Sequence, residues 1–505
     1  MAKSIMFQGT ASNVGKSMMA TALCRILYKK GFKVAPFKSW NMALNSYVTK
    51  NGGEVGRAQA LQAESCGIEV DVNMQPFLVK PKGNGQSQVI VQGKPLGDFG
   101  NTYKNEDYVE WALKIIEESI KELFNDYEIV VMEGAGSPAE INIEHRDLAN
   151  MKVAKLFKTP VILVADIDKG GVFASIVGTL ELLGNKKELV KGIIINKFRG
   201  SKNSLQSGLD YIKNKTGVPI LGVIPYLKDI SLPEEDSVTV NEYLKDGAQI
   251  MIGVINLPRL SNFTDFDVLG MEPIVELNYL DGTEKNLNKY DVIIIPGTKN
   301  TTGDLAYLKG KGIDKEIKNA ARNGVEIIGI CGGYQMLGSK LLDPQKTEGK
   351  LEAIEGLSLL DMKTEFSEGK DTFQVKAEAL AWGDYFFNPK DGEIKGYEIH
   401  MGNSETGEKA SPLFKIKSRS GQNCNIKDGA VSDKLEVWGT YLHGIFDNDN
   451  FREKFIKHLL RKKDKEDKLD LINFKERREK ALDRLAEEVE KNLNMKLLNK
   501  ILGIE

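Results

Sequence analysis

The sequence predicts an α/β protein of two domains: a doubly wound parallel sheet carrying a phosphate-binding loop, then a second α/β unit built around a cysteine. Three observations lead there. At 505 residues the chain exceeds what one hydrophobic core organises. Short, continuous apolar runs recur with helical stretches between them, as parallel strands buried on both faces require. Two of these runs end in glycine-flanked turns that bear a reactive side chain, Lys16 in one and Cys331 in the other.

Ser4–Phe7 reads as the first strand, followed by a Gly-rich turn and a helix from Lys16 to about Lys30 that Gly31 stops. Lys33–Pro36, Glu128–Met132, Val161–Ala165 and Gly192–Asn196 are the next apolar strands. The turn-rich, acidic stretch Asp229–Asp236 closes a first domain set at residues 1–235. A second unit, residues 250–447, opens with Ile250–Ile255 and continues through Val292–Ile295 and Val325–Ile330. Mixed patterning from Gly349 to Gly402 predicts antiparallel pairing. Residues 448–505 form a charged, helix-favouring tail with a polar link at Lys462–Lys468, expected as surface helices.

Composition narrows the function classes. Hydrophobic residues at 41% and charged residues at 28% fit a soluble globular chain, and a net charge of -2 gives no basic field for nucleic acid. None of Cys24, Cys66, Cys331 and Cys424 pair at C-x-x-C spacing, so neither a zinc site nor a disulfide framework is expected, as in a reducing cytoplasm. The N-terminus lacks the marks of a signal peptide, and no run of about 18 apolar residues predicts a membrane span.

Gly9-Thr-Ala-Ser-Asn-Val-Gly15-Lys16-Ser17 lies between a predicted strand and a predicted helix, the context of a P-loop. Successive backbone N–H groups there surround phosphates. Gly9, Thr10, Asn13, Gly15, Lys16 and Ser17 are therefore the candidate ATP-binding residues, with Lys16 reaching the β- and γ-phosphates and Ser17 a magnesium ion. Five residues separate the two glycines instead of the usual four. Glu133 ends a strand where ligands of open α/β sheets collect, and is the second magnesium candidate against a plain loop cap. Asp166 and Asp168 end another strand and either meet substrate or support the sheet edge. Asp147 either orients a reacting group or pairs with Arg146.

Gly329-Ile-Cys331-Gly-Gly333 is the cysteine form of a nucleophile elbow, between a strand and a helix. A cysteine at a helix N-terminus favours the thiolate, which can attack a side-chain amide such as that of glutamine. Gly332 is one candidate oxyanion donor, and Gly297, in the turn Pro296–Asn300, the other. Among His145, His400, His443 and His458, the candidate base is His443 in Gly439-Thr-Tyr-Leu-His-Gly444, with His400 its competitor.

With these motifs the chain resembles the cobyric acid synthase family, the glutamine-hydrolysing amidases of cobalamin biosynthesis, to about residue 450. The resemblance is carried by the P-loop, Pro36–Ser46, Glu54–Ala60, Glu133–Glu140, Asp147–Met151, Asp166–Gly171, Asn196–Gly200, the Cys331 elbow and Gly439–Gly444. It implies a dethiobiotin-synthetase-like P-loop domain, whose family shares the five-residue spacing, and a class I glutamine amidotransferase domain. The implied reaction is ATP- and magnesium-dependent amidation of the b, d, e and g carboxylates of adenosyl-cobyrinic acid a,c-diamide. Ammonia would come from glutamine and cross between domains by a sheltered path. Lys38, Asn41, Arg57, Lys80, Arg146, Asp166 and Arg199 are candidates to hold that substrate.

Two departures stand out. Ser39-Trp40 replaces the expected Ala-Gln, and Ile445 occupies the position where triad glutaminases carry a glutamate. The second implies a Cys331–His443 dyad, with the orienter of the histidine unidentified from the sequence. The alternatives are the amidase acting on the a and c carboxylates, which the Pro36–Ser46 stretch opposes, and a P-loop partitioning or regulatory ATPase, which leaves Cys331 and His443 without use.

Overall fold

The computed structural model describes the chain apart from residues 1, 84, 101–105, 228–231, 233–242, 246, 381–386, 388, 434–435, 466–470 and 505. Most of the expected closing segment Asp229–Asp236, and the end of the polar link at 466–468, fall outside the described residues.

The first domain is centred on a parallel sheet. Its strand order is Ile220–Pro225, Val190–Phe198, Val161–Asp166, Lys3–Gly9, Ile129–Glu133 and Val34–Phe37. The first strand of the chain thus lies inside the sheet, and its neighbours on the two sides come from distant parts of the sequence. All five residues of Ile129–Glu133 and all six of Val161–Asp166 are buried, which is why these segments read as unbroken apolar runs. The loop after Lys3–Gly9 leads into the helix Lys16–Lys29, whose inner face carries Met19, Leu23, Ile26 and Leu27.

A smaller sheet, not foreseen from sequence, is appended to this domain. It pairs Trp40–Met42 with Phe77–Gly83, and then Gln86–Val91 and Lys94–Gly100.

The second domain has its own parallel core: Val275–Leu280, Ile250–Ile255, Val292–Ile295, Glu326–Ile330 and Val437–Thr440, extended by two antiparallel edge strands. The expected antiparallel region is present as the long pair Met362–Ala379 and Ile394–Thr406, in a separate sheet.

The C-terminal segment corrects the expectation of surface helices. Asp449–Arg461 buries Phe451, Phe455, Ile456, Leu459 and Leu460 in the core of the second domain. Arg452, 0% exposed, is anchored there by Glu272 at 2.6 Å. The next helices, Phe474–Asn492 and Met495–Leu502, return to the first domain. Their Leu485, Ala486, Val489, Leu498 and Leu502 join the core of the P-loop helix. Arg25 of that helix pairs with Glu479 at 2.6 Å and Asp483 at 2.8 Å. Charge hides this role in the sequence, because the charged residues occupy the outer faces while the apolar stripe faces inward.

Candidate active sites

The P-loop forms where the first strand ends. Thr10 donates its N–H to Val164 O at 3.0 Å, which holds the loop to the neighbouring strand. Gly15, at φ 100, caps the helix in a conformation that disfavours a side chain. A Cβ at Gly15 would also stand 2.1 Å from Asn196 Nδ2, which donates to Val14 O at 2.9 Å. Lys16 reaches across the loop and donates to Ala11 O at 3.0 Å and Gly136 O at 3.1 Å. Its ammonium therefore lies over the loop's backbone, between the P-loop and the segment that follows the Ile129–Glu133 strand. Lys197 donates to Asn13 O at 2.7 Å and pairs with Asp166 at 3.0 Å.

Glu133 is the hub beside this loop. Its Oε1 accepts from Ser17 Oγ at 2.8 Å and Lys38 Nζ at 2.9 Å, and its Oε2 accepts from Gln62 Nε2 at 2.7 Å. A hydroxyl and a carboxylate side by side at a helix N-terminus match what magnesium asks of a nucleotide site, the remaining ligands being phosphate oxygens and water. Among the described residues no cluster of three His, Cys, Asp or Glu forms a metal cage.

The other candidates of this half lie elsewhere. Asp147 spends its carboxylate on the backbone: Oδ1 accepts from the N–H of Ala149 and Asn150, and Oδ2 from that of Lys152. It thereby stabilises the turn into the helix Met151–Leu156, and does not pair with Arg146. Arg146 is exposed and donates to its neighbour His145 at 3.0 Å. Asp168 pairs with Arg199 at 2.7 Å, and Arg199 lies over the Tyr226 ring. Arg57 is buried at the domain boundary, over the Tyr47 ring and 3.8 Å from Asp447, which follows His443 closely in the chain. Asn41 is buried in the small sheet. Lys80 donates to Ser46 Oγ and Glu54 Oε1, both at 2.8 Å, and faces the cavity of the second domain.

In that domain the elbow is strained as its motif requires. Cys331 has φ 52, a left-handed value for a non-glycine residue, and caps the helix Gly332–Leu337. Gly333 is indispensable there, since a Cβ would stand 1.8 Å from Ile295 O. The turn Pro296–Asn300 packs under the elbow: a Cβ on Gly332 would stand 3.2 Å from Thr298 N, and one on Gly297 3.3 Å from His443 Cε1. The turn is fixed by Thr298 Oγ1, which donates to Asp304 Oδ2 at 2.5 Å.

His443 lines one cavity with Cys331, whose Sγ donates to Ile399 O at 3.4 Å, and its Nδ1 meets Asp265 Oδ2 at 2.6 Å. The expected dyad therefore gains a third member: the orienter left unidentified by the sequence is Asp265. It was missed because it lies 178 residues before His443. The only sequence signal was a pair of acids, Asp265 and Asp267, beyond the carboxyl end of the Ile250–Ile255 strand. The N–H of Gly444 donates to Asp265 Oδ1 at 3.2 Å, and the Tyr397 ring stacks on the imidazole at 5.2 Å. Burial alone would depress His443, but the Asp265 carboxylate and Cys331 overcome it and hold the imidazolium up to about 10.

His400 lines the same cavity under the opposite influence. It stacks on Tyr441 at 3.7 Å, and burial pushes it down to about 3, so it stays neutral. Among the described residues no carboxylate lies within hydrogen-bonding distance of its ring; Asp371 and Glu398 are 4.0 Å from Nε2. Lys299, Lys370, Glu348 and Gln335 are among the cavity's polar walls, and Phe366, Ile399 and Met401 among its apolar ones. Burial and the neighbouring lysines pull Lys299 down to about 7.

A strained thiol elbow backed by His and Asp, joined to a P-loop domain with a carboxylate hub, defines the class: a glutamine amidotransferase coupled to an ATP-using domain. Residues 5–240 match the CobQ/CobB/MinD/ParA nucleotide binding domain family, and residues 251–451 match the CobB/CobQ-like glutamine amidotransferase domain family. Three curated relatives, each named cobyric acid synthase, are similar over the whole chain. That of Desulforamulus reducens is 48% identical over 100% of this chain and 99% of its own. That of Moorella thermoacetica is 47% identical over 100% and 98%, and that of Clostridium botulinum strain Loch Maree 48% over 99% and 99%. The chain belongs to the cobyric acid synthase family, and is a glutamine-dependent amide ligase that uses ATP in cobalamin synthesis. The similarity runs to the C-terminus, past the neighbourhood of residue 450 where the motifs end. No helix among the described residues is long and apolar enough to cross a membrane.

Proposed function

We propose that the protein amidates the b, d, e and g carboxylates of adenosyl-cobyrinic acid a,c-diamide, giving adenosyl-cobyric acid, in the cytoplasm where ATP and glutamine are plentiful. The observation that carries the division of labour is the pairing of His443 with Asp265 in the Cys331 cavity of one domain, and of Glu133 with Ser17 and Lys38 in the other.

In the glutaminase, Cys331 is the nucleophile and His443 its base. His443, held up by Asp265, is the proton partner of the thiol. Attack on the glutamine side-chain amide gives a thioester, and His443 passes its proton to the departing ammonia. Water then releases glutamate and regenerates the thiol. The N–H groups of Gly332 and of the Gly297–Thr298 turn are the oxyanion donors. Asp265 fixes the imidazole tautomer and its charge.

In the synthetase, the P-loop residues Gly9, Thr10, Asn13, Gly15 and Lys16 hold ATP. Ser17 and Glu133 would hold magnesium, which supplies charge neutralisation on the phosphates when bound. Lys38, paired with Glu133, would meet the substrate carboxylate that receives the γ-phosphoryl group, a reading its position beside the P-loop carboxylate supports. Ammonia then displaces phosphate from the acyl phosphate. Mass spectrometry of the diamide after incubation with ATP and glutamine tests the reading. Four successive losses of about one mass unit, each an OH replaced by NH2 as in thioester-fed amidation, are expected. An unchanged corrinoid refutes it.

A further inference from the structure

Besides its histidines, the Cys331 cavity has the charged side chains of Lys80, Lys370, Lys299 and Glu348 in its walls. Lys80 and Lys370 both close on the buried carboxylate of Glu54. Lys299 and Glu348 are different: neither has a salt-bridge partner among the described residues, although they are only 7% and 6% exposed. Their places are fixed by the supports of the elbow. The N–H of Lys299 donates to Arg259 O at 3.0 Å, which ties down the turn Pro296–Asn300. Residues on either side of Lys299 touch the elbow: a Cβ on Gly332 would stand 2.9 Å from Thr298 Cγ2 and 3.1 Å from Thr301 Oγ1. Thr301 in turn holds Glu348, whose Oε1 accepts from its N–H at 3.1 Å and its Oγ1 at 3.3 Å. The other oxygen of Glu348, Oε2, has no donor among the described residues.

A buried ammonium and a buried carboxylate that do not pair each cost stability. Burial works against the charged form of both, lowering Lys299 and raising Glu348. Two such groups facing one cavity call for a ligand that brings both counter-charges. That ligand needs a carboxylate for Lys299 and an ammonium for Glu348, joined to a group that Cys331 attacks. The head of an α-amino acid is this combination, and the short aliphatic stem of glutamine connects it to the reacting amide. Phe366, Ile399 and Met401 offer that stem apolar walls.

We propose that Lys299 and Glu348 form the amino-acid head site of the glutaminase, Lys299 taking the α-carboxylate and Glu348 the α-ammonium, and that they select glutamine over amides lacking either charge. The proposal rests on the reading of Cys331 as the nucleophile. The test measures ammonia released by the full chain and by its Lys299→Met and Glu348→Gln variants from three amides. These are glutamine, γ-aminobutyramide, which lacks the α-carboxylate, and glutaric acid monoamide, which lacks the α-amino group. Each substitution should raise the KM for glutamine about 10- to 100-fold, the worth of a charge-assisted hydrogen bond, with a far smaller change in kcat. Lys299→Met should leave kcat/KM for γ-aminobutyramide at its native value, and Glu348→Gln that for glutaric acid monoamide. Alkylation of Cys331 persists in both variants, and Lys299→Met melts no lower than the native chain, since it removes an unpaired buried charge. An unmoved KM for glutamine overturns the head site and leaves the Cys331 reading standing. An equal loss with all three amides also overturns it, and marks the two residues as supports of the elbow. An unsubstituted protein that hydrolyses no glutamine overturns the Cys331 reading and the head site with it.

Discussion

Replacing Asp265 with Asn removes one negative charge from a fully buried imidazole while leaving an oxygen able to hold Nδ1. The native pair lies at 2.6 Å, and His443 is raised from 6.5 to about 10 against the opposing pull of burial. That rise corresponds to about 5 kcal/mol of preference for the imidazolium, at roughly 1.4 kcal/mol per unit. Asp265 is the first-named of the groups that raise it, so a large share of that preference goes with its charge. The imidazole then holds its proton less firmly and serves the Cys331 thiol less well. Glutamine hydrolysis should drop about 10²- to 10⁴-fold, the range spanned by losing a positioned base or its tautomer. The sign of the pH effect is fixed too. A raised histidine keeps its proton until pH climbs through its folded pKa, so the alkaline limb of hydrolysis lies high in the native protein and moves down in Asp265→Asn. Glutamate release measured between pH 6 and 10.5, alongside ammonium-dependent amidation as a control for folding, checks both points. Hydrolysis within about threefold of native, with an unmoved alkaline limb, refutes the role of Asp265.

Three further outcomes follow from the geometry. Gly333→Ala places a Cβ 1.8 Å from Ile295 O, where only backbone can move; thermal melts should show a loss of about 3 kcal/mol, and thiol alkylation a loss of Cys331 reactivity. Glu54 is buried, and Lys80 and Lys370 outweigh that burial and hold its carboxyl below the usual range. A depressed carboxylate contributes stability above its unfolded pKa and loses it as pH falls toward the folded value. Urea unfolding free energy should therefore drop below about pH 5 in the native chain more steeply than in Glu54→Gln. Ending the chain at Asn473 uncovers Leu485, Val489, Leu498 and Leu502 partners in the first domain. At about 1.5–3 kcal/mol for each large aliphatic side chain, calorimetry should show the first domain destabilised and nucleotide binding lost.

What the sequence revealed was local. A P-loop and a thiol elbow each compress a strand, a turn and a reactive residue into a short segment, so both could be read without a fold. Asp265 could not, because only the parallel sheet brings the segment after Ile250–Ile255 beside the one after Val437–Thr440. The Lys80 ammonium was read as a substrate contact; its cavity is assembled from both domains, which no local pattern encodes. In the tail the information was present and outweighed. Leu482, Leu485, Ala486 and Val489 follow helical spacing and form one buried face, but the surrounding lysines and glutamates dominate the composition.

That tail also sets an order of events during synthesis. The helix bearing Lys16 is made well before part of its hydrophobic cover, Leu485 through Leu502. The hydrolysing half, which lies between them, can close on itself while the nucleotide half still waits for those residues. Two distant segments thereby share one core, and cutting the polypeptide between its domains does not yield two finished parts.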